Sequence, residues 1–92
     1  MNNQSDDFRW TDHALQEITR RQIKMADVVK VLKEPEQIVT VRPGRLVFQA
    51  RGAFNESSSL YLLRVFVDVD RHPPEVVTAY RTSKIDKYWN TT

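Results

Sequence analysis

Ninety-two residues are enough to close one hydrophobic core and too few for two, and 40% hydrophobic with 28% charged residues is the composition of an ordinary globular chain. Fourteen Lys and Arg against twelve Asp and Glu leave a net charge of +2, too small an excess to indicate a nucleic-acid partner without local clustering. Cysteine is absent, which excludes disulfide frameworks, zinc ribbons and thiol catalysis; His13 and His72 lie far apart with no His-Glu-x-x-His pattern, so no metal or other cofactor is expected.

Met1 to Asp7 is polar and acidic, unlike a secretory leader, and reads as a disordered lead-in to a single domain over residues 8–92. No stretch approaches membrane-spanning length, so a cytoplasmic address without a membrane partner is expected. Phe8-Arg9-Trp10 suits a short first strand. Thr11 can cap a helix running to about Gln22, with Asp12 near its positive end and Ala14, Leu15 and Ile18 as the buried stripe. Ile23 is placed to plug the following turn. A second helix over Met25 to Glu34 turns Met25, Val28, Val29 and Leu32 to one face, and Pro35 stops it.

From Gln37 the period becomes that of a strand, Val39 and Val41 alternating with Ile38, Thr40 and Arg42, and Pro43-Gly44 supplies a tight turn. Arg45 to Arg51 returns, Gly52 to Ser59 is a polar loop, and Leu60 to Val69 carries apolar residues on both faces, as a central strand does. After a turn over Asp70 to Pro74, Glu75 to Arg81 forms the last strand, and Ser83 can cap a short helix through Tyr88 and Trp89. Helices followed by hairpin-linked strands predict an α+β fold: two N-terminal helices packed on one face of a small, mainly antiparallel sheet, with a short C-terminal helix. Leu15, Ile18, Val28, Leu32, Leu63, Val65 and Val77 are expected in one core.

Three features can carry chemistry. His13, Glu17 and Arg21, four residues apart, form one ridge on the first helix; a histidine beside an acid and a guanidinium suits proton transfer and stabilisation of an anionic transition state. The same spacing also describes a solvated helix ion pair, and both readings stay open. Near the C-terminus, Tyr80, Arg81, Lys84, Lys87, Tyr88 and Trp89 bring cations and flat rings together, as phosphate contacts with base stacking require; for the two final rings, Tyr88 and Trp89, packing of the last helix onto the sheet is the favoured reading, while for Arg81 and Lys84 both readings stay open. Arg64, between Leu62 and Phe66 on a central strand, needs a cleft or a partner, the nearest being Asp68 or a helix carboxylate.

The run from Thr11 to Leu32, with His13-Ala14, Ile18, Arg21, Ile23, Val28 and Leu32, together with Val77-Thr78-Ala79-Tyr80, Lys84 and Tyr88, resembles domain-of-unknown-function family 4258 over nearly the whole chain beyond the lead-in. The resemblance implies a RelE/ParE-like toxin fold and RNA as substrate. It implies metal-independent cleavage, with a cognate antitoxin protein as partner and a homodimer as a further option. On that footing the catalytic candidates are His13, Arg21 and Tyr80, supported by Lys84, and Arg64, Arg81, Lys84 and Lys87 are candidate RNA contacts. Two positions depart from the family pattern: Glu17 stands where arginine is frequent and Gln22 where glycine is. The first removes a cation from the implied site, and the second must end a helix without glycine's freedom. A non-catalytic, ParE-like protein-binding module is the alternative; His13, Arg21 and Tyr80 gathered in an open cleft would favour the enzyme, and scattered side chains the module.

Overall fold

Local chemistry at Thr11 starts the helical layer. Its Oγ1 accepts a hydrogen bond from the Ala14 backbone N–H at 2.9 Å, and Asp12 sits in the positive first turn of α1 (Asp12–Arg20). The helix ends in a Schellman arrangement: Gln22 adopts φ +57°, its N–H bonds to the Thr19 carbonyl at 3.0 Å, and the Ile23 N–H bonds to the Ile18 carbonyl at 3.0 Å. Ile23 is thereby turned inward and buried against the core, as the plug expected of it. After α2 (Met25–Lys33) the chain is extended, and Pro35 follows the C-cap Glu34.

The computed structural model describes residues 7–54 and 58–91, so the lead-in over residues 1–6 and part of the loop expected over Gly52 to Ser59 lie outside them. The remaining elements are β1 (Arg9–Trp10), β2 (Gln37–Arg42), β3 (Arg45–Gly52), β4 (Tyr61–Asp68), β5 (Glu75–Thr82) and α3 (Ile85–Tyr88). The strands form one sheet in the order β1-β5-β4-β3-β2, antiparallel throughout except that β1 runs parallel to β5. The fold is therefore α+β with a mixed sheet, as the order of elements predicts apart from that one parallel edge. No helix among the described residues is long and apolar enough to cross a membrane.

Both long helices lie on one face. Ala14 and Ile18 of α1 and Val28, Val31 and Leu32 of α2 meet Leu63, Val65, Val67, Val76 and Ala79 in one contiguous core, with Phe8, Trp10, Phe48, Ala50 and Phe54 packed around it. Three expectations are corrected here. Leu15, a further 100° round α1 from Ala14, is 40% exposed because only a narrow stripe of this short helix faces the sheet. Met25, in the first turn of α2, is likewise exposed, and Val31 fills the core instead. Val77 is only half-buried: pairing skips from Val67–Val76 to Phe66–Thr78, so Val77 is the extra residue of a bulge and Val76 takes the inward position.

Gly44 turns β2 into β3 at φ +85°, and a Cβ there would lie 2.7 Å from the Asp70 carboxylate, so conformation and space both require glycine. Asp68, buried on the neighbouring strand, accepts from Arg45 Nε at 2.6 Å and Nη2 at 3.0 Å, and Arg71 approaches at 3.6 Å. Arg45 is thus the main partner of Asp68, which leaves Arg64 to find another. The short α3 is not capped by Ser83. Lys84 holds the N-cap position without a side-chain bond, and the Thr82 hydroxyl takes the Lys84 N–H at 3.0 Å.

Candidate functional site

The last strand distributes its side chains to two faces. Ala79 pairs with Val65 and Arg81 with Leu63, so both point to the helix side, whereas Tyr80 pairs with Arg64 on the opposite side. β1 covers only Glu75 and Val76, and beyond them β5 is a sheet edge. Arg21, the C-cap of α1, crosses that edge: its Nη1 donates to the Ala79 carbonyl at 2.8 Å and reaches Thr78 Oγ1 at 3.5 Å, which blocks the strand from pairing further.

Glu17 is the hub of the ridge on α1. Its Oε1 meets Arg21 Nη2 at 2.9 Å and also bonds to Arg20. That Arg20 hydrogen bond, the charges of Arg20 and Arg21, and a smaller contribution from His13 hold its carboxyl below the ordinary carboxylate range against the opposing effect of burial. Arg21 is therefore neutralised and tied down at both ends of its guanidinium. His13 is exposed and its side chain makes no hydrogen bond among the described residues. Eight residues of α-helix separate it from Arg21, about 12 Å along the axis.

A groove opens where α1 ends above the last residues of β5. Arg21, Tyr61, Tyr80, Arg81, Thr82 and Ser83 line it. Arg81 enters from the helix side and donates Nη1 to the Arg21 carbonyl at 3.0 Å, which satisfies the negative end of α1. Its remaining guanidinium nitrogens have no partner among the described residues. Of the residues expected to act together, the groove brings Arg21 to Arg81; Tyr80 borders it but turns its ring and hydroxyl to Arg64 on the far face, and His13 is outside its lining. Lys84 and Lys87 border a separate shallow depression with Ser83, Ile85 and Asp86.

Arg64 belongs to a different assembly on the sheet face away from the helices. Its Nε donates to Gln49 Oε1 at 2.8 Å and its Nη1 to the Tyr80 hydroxyl at 2.7 Å, while its guanidinium lies 4.4 Å from the centre of the Tyr88 ring. Gln49, fully buried, donates to Gln37 Oε1 at 2.8 Å and the Tyr88 carbonyl at 3.2 Å. Gln37 in turn donates to the Asn90 carbonyl at 2.6 Å and accepts the Asn90 N–H at 3.1 Å, and Arg51 lies 4.0 Å from the Trp89 ring centre. The C-terminal segment is strapped across the sheet by these contacts. Lys87 beside Tyr88 lowers the phenol's pKa, its charge being the largest influence.

Sequence reasoning missed two residues that matter here. Gln49 gives no signal because a glutamine in a strand reads as solvent-facing unless its cross-strand partner is known. Tyr61 shares a face with Leu63 and Val65 and reads as one more core residue; its position at the start of the strand, opposite Gly52, is what carries it past the helices into the groove. Among the described residues no group of three or more His, Asp or Glu side chains is arranged to hold a metal ion.

Comparison with known proteins adds one assignment. No curated protein matches the chain, and no solved structure does. The model of one family, described as Domain of unknown function (DUF4258), matches residues 10–81, a span from β1 to the penultimate residue of β5 that contains both helices and the whole helix-side core. This chain belongs to that family.

Proposed function

We propose that this protein is a metal-independent endoribonuclease of the toxin type, with RNA bound at the edge of β5 and activity restrained by an antitoxin protein. The observation that carries the reading is the open groove in which Arg21 and Arg81 meet, bordered by Tyr80, at the end of the helix that also bears His13. In this reading Arg81, with guanidinium donors to spare, holds a phosphate, and Arg21, paired with Glu17, braces the strand edge beside it. His13, exposed at the start of the same helix, is the proton-transfer group. It takes the proton of a ribose 2′-hydroxyl; the 2′-oxygen bonds to phosphorus, the bond to the 5′-oxygen breaks, that oxygen takes a proton from solvent water, and the exposed His13 imidazolium gives its proton back to solvent. The products are a 2′,3′-cyclic phosphate, which water opens to a 3′-phosphate, and a 5′-hydroxyl.

A second reading, the non-catalytic protein-binding module, has its own support: His13 lies two helical turns from Arg21, and the Tyr80 hydroxyl is engaged by Arg64 rather than turned toward either. His13→Ala separates the two, because this side chain is exposed and holds nothing in place. Loss of growth inhibition on expression, or a drop in RNA cleavage of about 10²- to 10⁴-fold, at an unchanged melting temperature supports the nuclease. Cleavage must also persist in chelator and give cyclic phosphate ends. Full toxicity in the His13→Ala variant, or dependence on added divalent metal, rejects this mechanism.

A further inference from the structure

Every aromatic ring on the far side of the sheet is engaged: Phe66 stacks on Tyr80, Tyr80 meets Tyr88 edge-on, and Tyr88 carries Arg64. Tyr61 is different. It is half-buried in the groove wall, and among the described residues its ring has no aromatic or cationic partner and its hydroxyl no hydrogen bond. On that helix-side face of the sheet Arg81 of β5 pairs directly with Leu63, and Tyr61 lies two residues before Leu63 on β4, the next position along the same face. A flat, unengaged ring and a guanidinium with unused donors therefore line the same recess, together with the Ser83 hydroxyl. The recess holds about 670 Å³, within the range of pockets that take a ligand of nucleotide size.

We propose that this recess is a nucleotide subsite for single-stranded RNA in which Tyr61 stacks on an unpaired base and Arg81 holds the adjoining phosphate. The inference rests on the RNA reading above and adds to it a requirement for an unpaired base. A base inside a duplex presents no face to a ring, whereas every unpaired base does, so the subsite selects strand state and tolerates sequence. Arg81 is suited to the phosphate because its bond to the end of α1 holds the guanidinium at the groove and uses only one of its nitrogens, leaving others for a charge-assisted contact.

The test is the binding of a fluorescently labelled ten-nucleotide RNA of mixed sequence, 2′-O-methylated so that the 2′-oxygen cannot attack, followed by anisotropy across a range of salt. Tyr61→Phe keeps the ring and should bind like the parent. Tyr61→Leu keeps apolar bulk and should weaken binding roughly ten- to a hundredfold with an unchanged salt slope, and the same RNA annealed to its complement should bind the parent no better than it binds Tyr61→Leu. Arg81→Gln should instead reduce the salt slope by about one. Equal binding by Tyr61→Leu and the parent overturns the stacking subsite while leaving RNA binding intact. Weakened binding by Tyr61→Leu together with no cleavage of unmodified RNA by the parent supports the subsite and rejects the nuclease, and absence of binding by the parent overturns both.

Discussion

On one face of the sheet Leu63, Val65 and Val67 join Ile18, Val28 and Leu32 in a core with no side-chain polar group to satisfy. One residue along the same strand, on the other face, Arg64 is held by Gln49, Tyr80 and Tyr88, and the buried Gln49 depends in turn on Gln37 and the Tyr88 carbonyl. The first face needs only apolar volume in the right place. The second needs each bond in a chain of bonds, since a buried amide that loses its partner keeps the whole cost of its lost hydration. Strength without specificity on one side and specificity with modest net strength on the other explains why the helices can be read from periodicity while the strap cannot.

The largest effect should follow from emptying the apolar side. Leu63→Ala leaves a cavity in a fully buried position and should lower stability by about 2–5 kcal/mol in urea unfolding, with the whole chain losing amide protection together. Arg64→Leu breaks the contrasting face. It should cost about 1–3 kcal/mol by stranding Gln49 Oε1, and its signature is local: exchange of the Trp89 amide, now bonded to the Ile85 carbonyl at 2.8 Å, should quicken before that of the core strands. If Arg64→Leu and Leu63→Ala accelerate exchange over the same residues, the two faces are one cooperative unit and the contrast drawn here is wrong.

Electrostatics sharpen the same comparison at lower cost. Arg45's hydrogen bonds, followed by its charge and that of Arg71, hold the Asp68 carboxyl below the ordinary carboxylate range. A carboxyl whose pKa is lower in the folded chain contributes stability that is complete above its unfolded pKa and is lost as pH falls through the folded one. Stability should therefore decline on acidification across the carboxylate range, and Asp68→Asn should flatten that decline at the expense of stability at neutral pH. Glu36, lowered by its bonds to Arg51, has the same sign, but both partners are about two-fifths exposed, so Glu36→Gln should change the acid limb much less.

What could be read in the residues follows this division. Ile18, Val28, Leu32, Leu63 and Val65 repeat with helix or strand period, and they lie where the period puts them. Leu15 and Val77 obey the same periods and miss the core, one because the helix presents a narrow stripe and the other because a bulge shifts the phase of β5; neither cause is local to the residue itself. The site shows the same limit. His13, Glu17 and Arg21 share a ridge as their spacing requires, and the Glu17–Arg21 pair forms. That Arg21 is braced against Ala79, that Arg81 rather than Arg21 keeps open donors, and that Tyr61 belongs to the groove all depend on contacts across more than fifty residues or on strand register, which spacing does not encode.

The smallest effect concerns the end of α1, where the helix-side core and the groove meet. Gln22 holds φ +57°, a left-handed conformation that costs a residue with a Cβ about 1–2 kcal/mol and costs glycine almost nothing. Glycine's greater freedom in the unfolded chain takes back about 0.5–1 kcal/mol of that gain. Gln22→Gly should therefore stabilise by roughly 0.5–1 kcal/mol, a rise in melting temperature of about 2–8 °C for a domain of this size. Gln22→Ala keeps the Cβ and should bring no such rise, which separates backbone relief from loss of the glutamine side chain. The Ile23 N–H bond to the Ile18 carbonyl and the Arg81 bond to the Arg21 carbonyl both rely on this turn, so the glycine variant should leave RNA binding unchanged if the turn geometry is kept. A fall in melting temperature would mean that Gln22 makes a contribution through its side chain larger than the strain of its backbone.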